Sequence, residues 1–176
     1  RSACLAIALT ASVLGSLANA QEADGRKQVL VVNATRLDDQ FSIVWARELP
    51  KLLGEGLNGH VDFYVEYFDF VRFPRPEHES AYLDFLRGKY AGRRIDLLIV
   101  IGAVAIDFMS RHRNVVFGDT PVVFYSLNPS QSRLPNSTGL VNPLHFNRSL
   151  DLALALQPDL KQVYVVSGAG AADHTY

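Results

Sequence analysis

The spacing of apolar residues along this chain switches several times between the pattern of a β-strand and that of an α-helix. A near-continuous apolar run over Lys27–Asn33 is typical of a parallel strand covered on both faces. Apolar residues then recur at helical spacing from position 41 to position 57, with Asp38 or Asp39 placed to cap the start. Pro50 lies inside this pattern and is expected to kink the helix or to divide it in two.

The same alternation continues to the end of the chain. Further strands are predicted at 61–67, 95–101, 121–126 and 162–167, further helices over 77–90, 103–112 and 146–156, and a short extended segment at 138–143. Residues 168–173 resemble a loop that opens one more helix. Strands that alternate with helices predict an α/β fold with a doubly wound parallel sheet.

Positions 1–20 have the features of a secretory signal peptide. A small or apolar run without charge follows Arg1, and Ala18-Asn19-Ala20 is a cleavage signal before Gln21. A membrane anchor is the alternative, but the content of small residues and the cleavage motif favour removal. The single cysteine, Cys4, belongs to this segment, so the exported chain is expected to contain no disulfide and no thiol nucleophile.

Composition narrows the function classes further. The formal net charge is −1, with neither a basic stripe nor an acidic tail, which argues against nucleic acid as a partner. The hydrophobic content of 48% with 10% aromatic residues favours a folded domain over disorder.

Polar residues cluster where the predicted strands end, which is the edge at which open α/β sheets bind ligands. From the residues alone, the candidate ligand-binding positions are Asn33, Thr35, Arg36, Asp69, Arg72, Gly102, Ala103, Tyr125 and Ser126. Gly102 and Ala103 are included because a strand that leads through glycine into a helix leaves backbone N–H groups free at this edge.

Several of these positions have an alternative structural interpretation. Asp69 and Arg72 are three residues apart, and a salt bridge that holds their loop is favoured over ligand contact. Asn33, Thr35 and Arg36 follow the first strand, where ligand contact and a structural role have about equal weight. Tyr125 and Ser126 are suited to hydrogen bonding a ligand, and equally to packing within the domain.

No catalytic residue, metal site or cofactor is predicted. The five histidines have no spacing of four residues and no acidic partners at metal-ligand spacing. Ser167 precedes a glycine but does not lie in a Gly-x-Ser-x-Gly motif, so a secreted hydrolase is kept only as a remote third class of function.

Two segments carry a resemblance to a known bacterial family: Val-Glu-Tyr-Phe-Asp-Phe-Val-Arg-Phe-Pro at 65–74 and Tyr-Ala-Gly-Arg-Arg-Ile-Asp at 90–96. With the strands at 27–33, 121–124 and 163–168, they resemble the periplasmic sensor domain of the ABC-transporter substrate-binding-protein type. That domain lies at the N-terminus of many sensor histidine kinases and some diguanylate cyclases.

The resemblance implies a type I periplasmic binding protein, in which two flavodoxin-like lobes close on a ligand. Residues 27–138 then form lobe one, residues 139–160 a crossing strand and helix that adds Asn142 to the candidate site, and residues 161–176 an incomplete start of lobe two.

The same resemblance implies the partners and the location. The ligand is a small molecule or a ligand-loaded partner protein, and a homodimer is compatible with the family. The location is the periplasm, with tethering to the inner membrane through a segment downstream of this chain. The favoured function is the sensing domain of a histidine kinase, and the alternative is a free solute-binding protein of an ABC importer.

Overall fold

The computed structural model describes residues 25–130, 133–166 and 168. The strands are β1 (Lys27–Asn33), β2 (Val61–Tyr67), β3 (Leu97–Ile101), β4 (Val122–Ser126) and β5 (Ser137–Val141). The helices are α1 (Gln40–Gly56), α2 (Pro76–Lys89), α3 (Ala103–Val116) and α4 (Phe146–Leu156). The predicted signal peptide, Ser167 and the segment after Gly168 lie outside the described residues.

The strands form one five-stranded sheet in the order β2-β1-β3-β4-β5, and each neighbouring pair is parallel. Helix α1 lies on one face of this sheet, and α2 and α3 lie on the other. The predicted α/β fold with a doubly wound parallel sheet is therefore confirmed. The order 2-1-3-4-5 is that of flavodoxin-like folds, in which the winding changes direction between β1 and β3.

Successive side chains of each strand supply two separate cores, because they point to opposite faces of the sheet. Val29 and Val31 of β1 pack with Trp45 and Leu49 of α1. Their neighbours Leu30 and Val32 belong to the larger core beneath α2 and α3, where the fully buried large side chains are concentrated. Both faces of β1 are thus buried, as its apolar run predicts.

Helix α1 begins where its sequence predicts. The side chain of Asp39 caps it by accepting a hydrogen bond from the backbone N–H of Ser42 at 3.2 Å. The helix is continuous through Pro50, so the alternative of two helices is wrong. Trp45, Leu49 and Leu53 pack on the same face of the sheet from both sides of Pro50, which holds the helix together despite the lost backbone hydrogen bond.

The end of the described chain makes few contacts. Strand β5 pairs with β4 as an edge strand of the same sheet, and it spans the predicted lobe boundary at 138/139. The division into lobes stays a prediction. Helix α4 contains no buried residue. Residues 162–166 form no strand, so the prediction of one there is wrong for these positions. A strand requires a pairing partner, and none lies beside them in the described residues.

Each helix of the described residues is too short or too polar to cross a membrane.

Candidate functional site

The carboxyl ends of the strands bring most of the predicted site residues to one edge of the sheet. Backbone hydrogen bonds connect neighbouring strand ends there: Ala34 N–H to the Ile101 carbonyl at 3.3 Å, and Gly102 N–H to the Tyr125 carbonyl at 2.9 Å. A further bond joins Asn142 N–H to the Ser126 carbonyl at 2.8 Å. The candidates from β1, β3, β4 and β5 therefore form a continuous row.

The winding of the sheet changes direction between β1 and β3, because the chain leaves these two neighbours toward opposite faces. Helix α1 follows β1 on one face, and α3 follows β3 on the other. In doubly wound folds this switch point is where ligands bind. We define the edge crevice by the residues that follow these two strands: Thr35, Arg36, Gly102 and Ala103.

Asn33 and Thr35 form a closed polar network at one wall of the edge crevice. The Asn33 amide donates to the Ser42 hydroxyl at 2.8 Å, and its carbonyl oxygen accepts from the backbone N–H of Thr35 at 3.1 Å and from the Thr35 hydroxyl at 3.0 Å. The hydroxyls of Thr35 and Ser42 are 2.7 Å apart. Asn33 and Ser42 are buried, so their main effect is to fix the start of α1 against the end of β1.

Arg36 is the exposed cation of the edge crevice. Its guanidinium contacts the Asp38 carboxylate through two bonds of 2.7 Å, and both side chains are open to solvent. Exposed pairs of this kind contribute little stability. The guanidinium can therefore exchange Asp38 for an anionic ligand at small cost.

Gly102 forms the opposite wall of the edge crevice. Its φ of +93° lies where residues with a side chain are strained, and it precedes α3 without providing a side-chain cap. The first N–H groups of α3, beginning with Ala103, thus face this edge without a side-chain acceptor. Such a helix start favours negative charge.

Tyr125 belongs to an aromatic cluster beside the edge crevice. Its ring centroid is 5.6 Å from that of Phe41 and 5.7 Å from that of Trp45. Phe41, in the first turn of α1, is 44% exposed, so the cluster extends from the core to the surface. Sequence analysis placed position 41 only within the apolar pattern of the helix; its location in the first turn, two residues after the cap Asp39, was the signal that it lies near the carboxyl edge of the sheet.

Three other candidates are engaged in local structure. Arg72 binds the Asp69 carboxylate with Nε at 2.9 Å and 2.8 Å from its two oxygens, so the salt bridge that the spacing predicts is present. This pairing raises the pKa of Arg72 and keeps its charge fixed. Ser126 is buried, and its hydroxyl accepts from the backbone N–H of Asn128 at 3.0 Å.

The described residues include no group of three or more histidine, cysteine, aspartate or glutamate side chains that could hold a metal ion. The edge crevice has a helix start that favours negative charge and an exposed guanidinium, and aromatic rings lie beside it.

Comparisons with known proteins identify a fold and no family. No family model matches the chain, and no curated protein matches it. Among solved structures, it is similar to a crystal structure of a conserved domain protein from Vibrio cholerae O1 biovar El Tor, with a TM-score of 0.50 and 16% identity. The match covers 76% of this chain and 44% of that chain. The chain thus matches less than half the length of the Vibrio protein. The similarity supports the doubly wound α/β class alone.

Proposed function

We propose that this chain is one lobe of an extracytoplasmic ligand-binding domain that serves as the sensor of a membrane signalling protein, a histidine kinase by the resemblance of its sequence. The observation that carries the proposal is the edge crevice at the β1/β3 switch point. It combines a polar wall, a helix start without a side-chain cap and an exposed cation. Each of these groups suits binding, and none of them is a nucleophile with a general base.

The groups around the edge crevice limit the chemistry of its ligand. The start of α3 and Arg36 favour an anionic group, since a helix N-terminus and a guanidinium both attract negative charge. The rings of Phe41 and Tyr125 offer a flat apolar surface beside them. An amino acid, a nucleoside with an acidic group or a short peptide combines both features.

The exposed apolar residues near the end of the described chain support a second lobe. Phe146, Leu150 and Leu154 recur every four residues along α4, and each is more than 40% exposed. Val165 and Val166 are about 90% exposed. Apolar surfaces of this kind mark contact regions. In the proposed architecture they pack against a second lobe. A ligand shifts the two lobes toward the closed state by the difference between its affinities for the closed and the open state.

The binding half of the proposal is tested on the protein produced from its complete reading frame. Amino acids, nucleotides and dipeptides are screened by thermal shift, and the affinity of each stabilising compound is measured by calorimetry. Arg36→Gln and Phe41→Ala should each weaken binding roughly tenfold, as expected for loss of a charge-assisted contact or an aromatic face. Arg47→Gln is the matched control, because Arg47 is also an exposed arginine with a neighbouring acidic partner, but it lies on α1 and pairs with Glu48 outside the edge crevice. Unchanged affinity in both crevice variants would refute the assignment of the site.

The signalling half is tested by cell fractionation. A sensor should remain with the inner membrane after osmotic shock and should autophosphorylate on histidine in isolated membranes. A free solute-binding protein, the alternative that the same fold allows, would be released by the shock and would not be phosphorylated. Release into the shock fluid would overturn the signalling proposal while leaving the binding proposal intact.

A further inference from the structure

A second concave surface lies on the α2/α3 face, separate from the edge crevice. It is a cavity of about 160 Å³, open to solvent, between the first turns of α2 and α3 and the loop that follows β2. Its lining residues are Phe68, Phe70, Val71, Pro74, Arg75, Pro76, Glu79, Val104, Phe108 and Arg111. We call it the helix-pair cavity. None of the residues that define the edge crevice line it.

The floor of the helix-pair cavity is formed by packed aromatic rings. The rings of Phe68 and Phe108 are buried, with centroids 4.6 Å apart, and Phe70 packs edge-on against Phe68. Apolar cavities of about 150 Å³ are large enough to hold a benzene molecule. The helix-pair cavity therefore has room for one aromatic ring or one branched aliphatic chain.

The two arginines that line the cavity differ in whether their charge is paired. Arg111 is neutralised by Glu79 at 2.6 Å and by Asp107 at 2.8 Å, and Glu79 also contacts His112 at 2.7 Å. Arg75, by contrast, has a side chain with no hydrogen bond or ion pair among the residues that the structure describes. The unbalanced charge on the lining of this cavity is thus the guanidinium of Arg75.

The backbone adds to that charge. Arg75 directly precedes α2 and provides no side-chain cap, so the positive start of α2 borders the cavity. The first N–H groups of α3 face the edge crevice instead. Glu77 lies two residues beyond Arg75 but is exposed and does not line the cavity. An apolar floor with a cationic rim selects a ligand that has both an apolar and an anionic part.

We propose that the helix-pair cavity is a second binding site, for a small carboxylate that carries one aromatic ring or one branched aliphatic chain. The apolar group packs on Phe68, Phe70 and Phe108, and the carboxylate pairs with Arg75. This site goes beyond the proposed function, because it would give the domain a second ligand whose binding does not require the edge crevice.

Benzoate is the probe, measured by calorimetry or by ligand-detected NMR. Benzamide has the same shape without the charge, and acetate has the charge without the ring. We expect saturable benzoate binding with a Kd of roughly 1 mM or tighter, and binding of benzamide and acetate weaker by about tenfold or more. Equal affinity for benzoate and benzamide would overturn the role of Arg75, and absence of saturable benzoate binding would overturn the site.

Variants separate this cavity from the edge crevice. Arg75→Gln should weaken benzoate binding by roughly tenfold, and Val71→Trp, at an exposed position on the lining, should block it by filling the space. Arg87→Gln is the matched control, since Arg87 lies in the last turn of α2 and pairs with Asp84. Arg36→Gln should leave benzoate binding unchanged. Loss of binding in Arg36→Gln but not in Arg75→Gln would assign the probe to the edge crevice and refute the second site.

Discussion

The amide of Asn33 donates a hydrogen bond to the hydroxyl of Ser42 over 2.8 Å, and both side chains are buried. This bond joins the last residue of β1 to the first turn of α1, directly beside the edge crevice. In the proposed binding site this wall is preorganised, because a buried hydrogen bond fixes its geometry without a ligand. Asn33 therefore positions the wall whether or not it contacts the ligand itself.

Replacement of Asn33 by alanine should lower the free energy of unfolding by about 1–3 kcal/mol, because the buried Ser42 hydroxyl and the half-buried Thr35 each lose hydrogen bonds to the Asn33 side chain. Urea unfolding measures this loss. Asn147→Ala, at an exposed position of α4, is the control and should change stability by less than about 0.5 kcal/mol. A value for Asn33→Ala as small as the control would show that the network contributes nothing.

Replacement by phenylalanine should affect the stability of the fold differently at two tyrosines on the α2 side. The Tyr90 hydroxyl donates to the buried carboxylate of Glu66 at 2.6 Å, and Lys89 contacts the same oxygen. The Tyr82 hydroxyl is buried and has no hydrogen-bond partner among the described residues, and burial raises the pKa of Tyr82, which keeps the hydroxyl neutral.

Tyr90→Phe should therefore destabilise the fold by about 1–2 kcal/mol, whereas Tyr82→Phe should leave stability unchanged or raise it by up to about 1 kcal/mol. Tyr164→Phe is the control for loss of a hydroxyl from an exposed ring. Thermal and urea unfolding of the three variants measure the difference. Equal losses in Tyr82→Phe and Tyr90→Phe would mean that the Tyr82 hydroxyl is hydrogen-bonded in solution, and would contradict the difference between the two tyrosines.

Two glycines allow a similar matched comparison. A Cβ on Gly139 would lie 2.6 Å from Cγ of Phe124, which is closer than carbon atoms approach in folded proteins. A Cβ on Gly88, inside α2, would meet no atom within 4 Å. Gly139→Ala should lower stability by about 1–3 kcal/mol through overpacking, and Gly88→Ala should raise it by about 0.5–1 kcal/mol through helix propensity. Denaturant titration of both variants checks the signs, and a stable Gly139→Ala protein would show that β5 is free to move away from β4.

The sequence predicts the parts of this fold that depend on local pattern. The bounds of β1 and β2 agree with the predicted ones, since an apolar run and a strict alternation each define a strand without reference to the rest of the chain. Asp39 as the cap of α1 is equally local. The strand order of the sheet does not follow from this alternation, because doubly wound parallel sheets occur with more than one strand order.

Contacts between distant residues could not be predicted in this way. The approach of Phe41 to Tyr125 depends on how α1 lies across the sheet, and the helix-pair cavity depends on the space between α2 and α3. The pairing of β5 with β4 could not be read from the sequence either, because the segment around Gly139 is short and only weakly apolar. Such features are set by packing, for which one sequence carries no direct signal.

Glu79 links α2 to α3 and should make stability depend on pH in the acid range. Burial by itself raises the pKa of Glu79, but hydrogen bonds from His112 and Arg111 and the charge of Arg111 outweigh it, so the pKa lies below its ordinary value. A carboxyl whose pKa is lowered by folding stabilises the folded state when it is ionised. That contribution is complete above the ordinary pKa of glutamate and is lost as the pH falls through the lowered value.

Wild-type stability should therefore fall more steeply than that of Glu79→Gln between about pH 5 and about pH 3, so that the two curves converge at the acid end. Urea unfolding at several pH values in this window measures the two slopes. Glu77→Gln is the matched control, because Glu77 occupies the same turn of α2 but is exposed and makes no ion pair in the described part of the chain, and its curve should run parallel to the wild type. Parallel curves for Glu79→Gln as well would mean that Glu79 is not held by His112 and Arg111 in solution, and that the wall of the helix-pair cavity is looser than the structure has it.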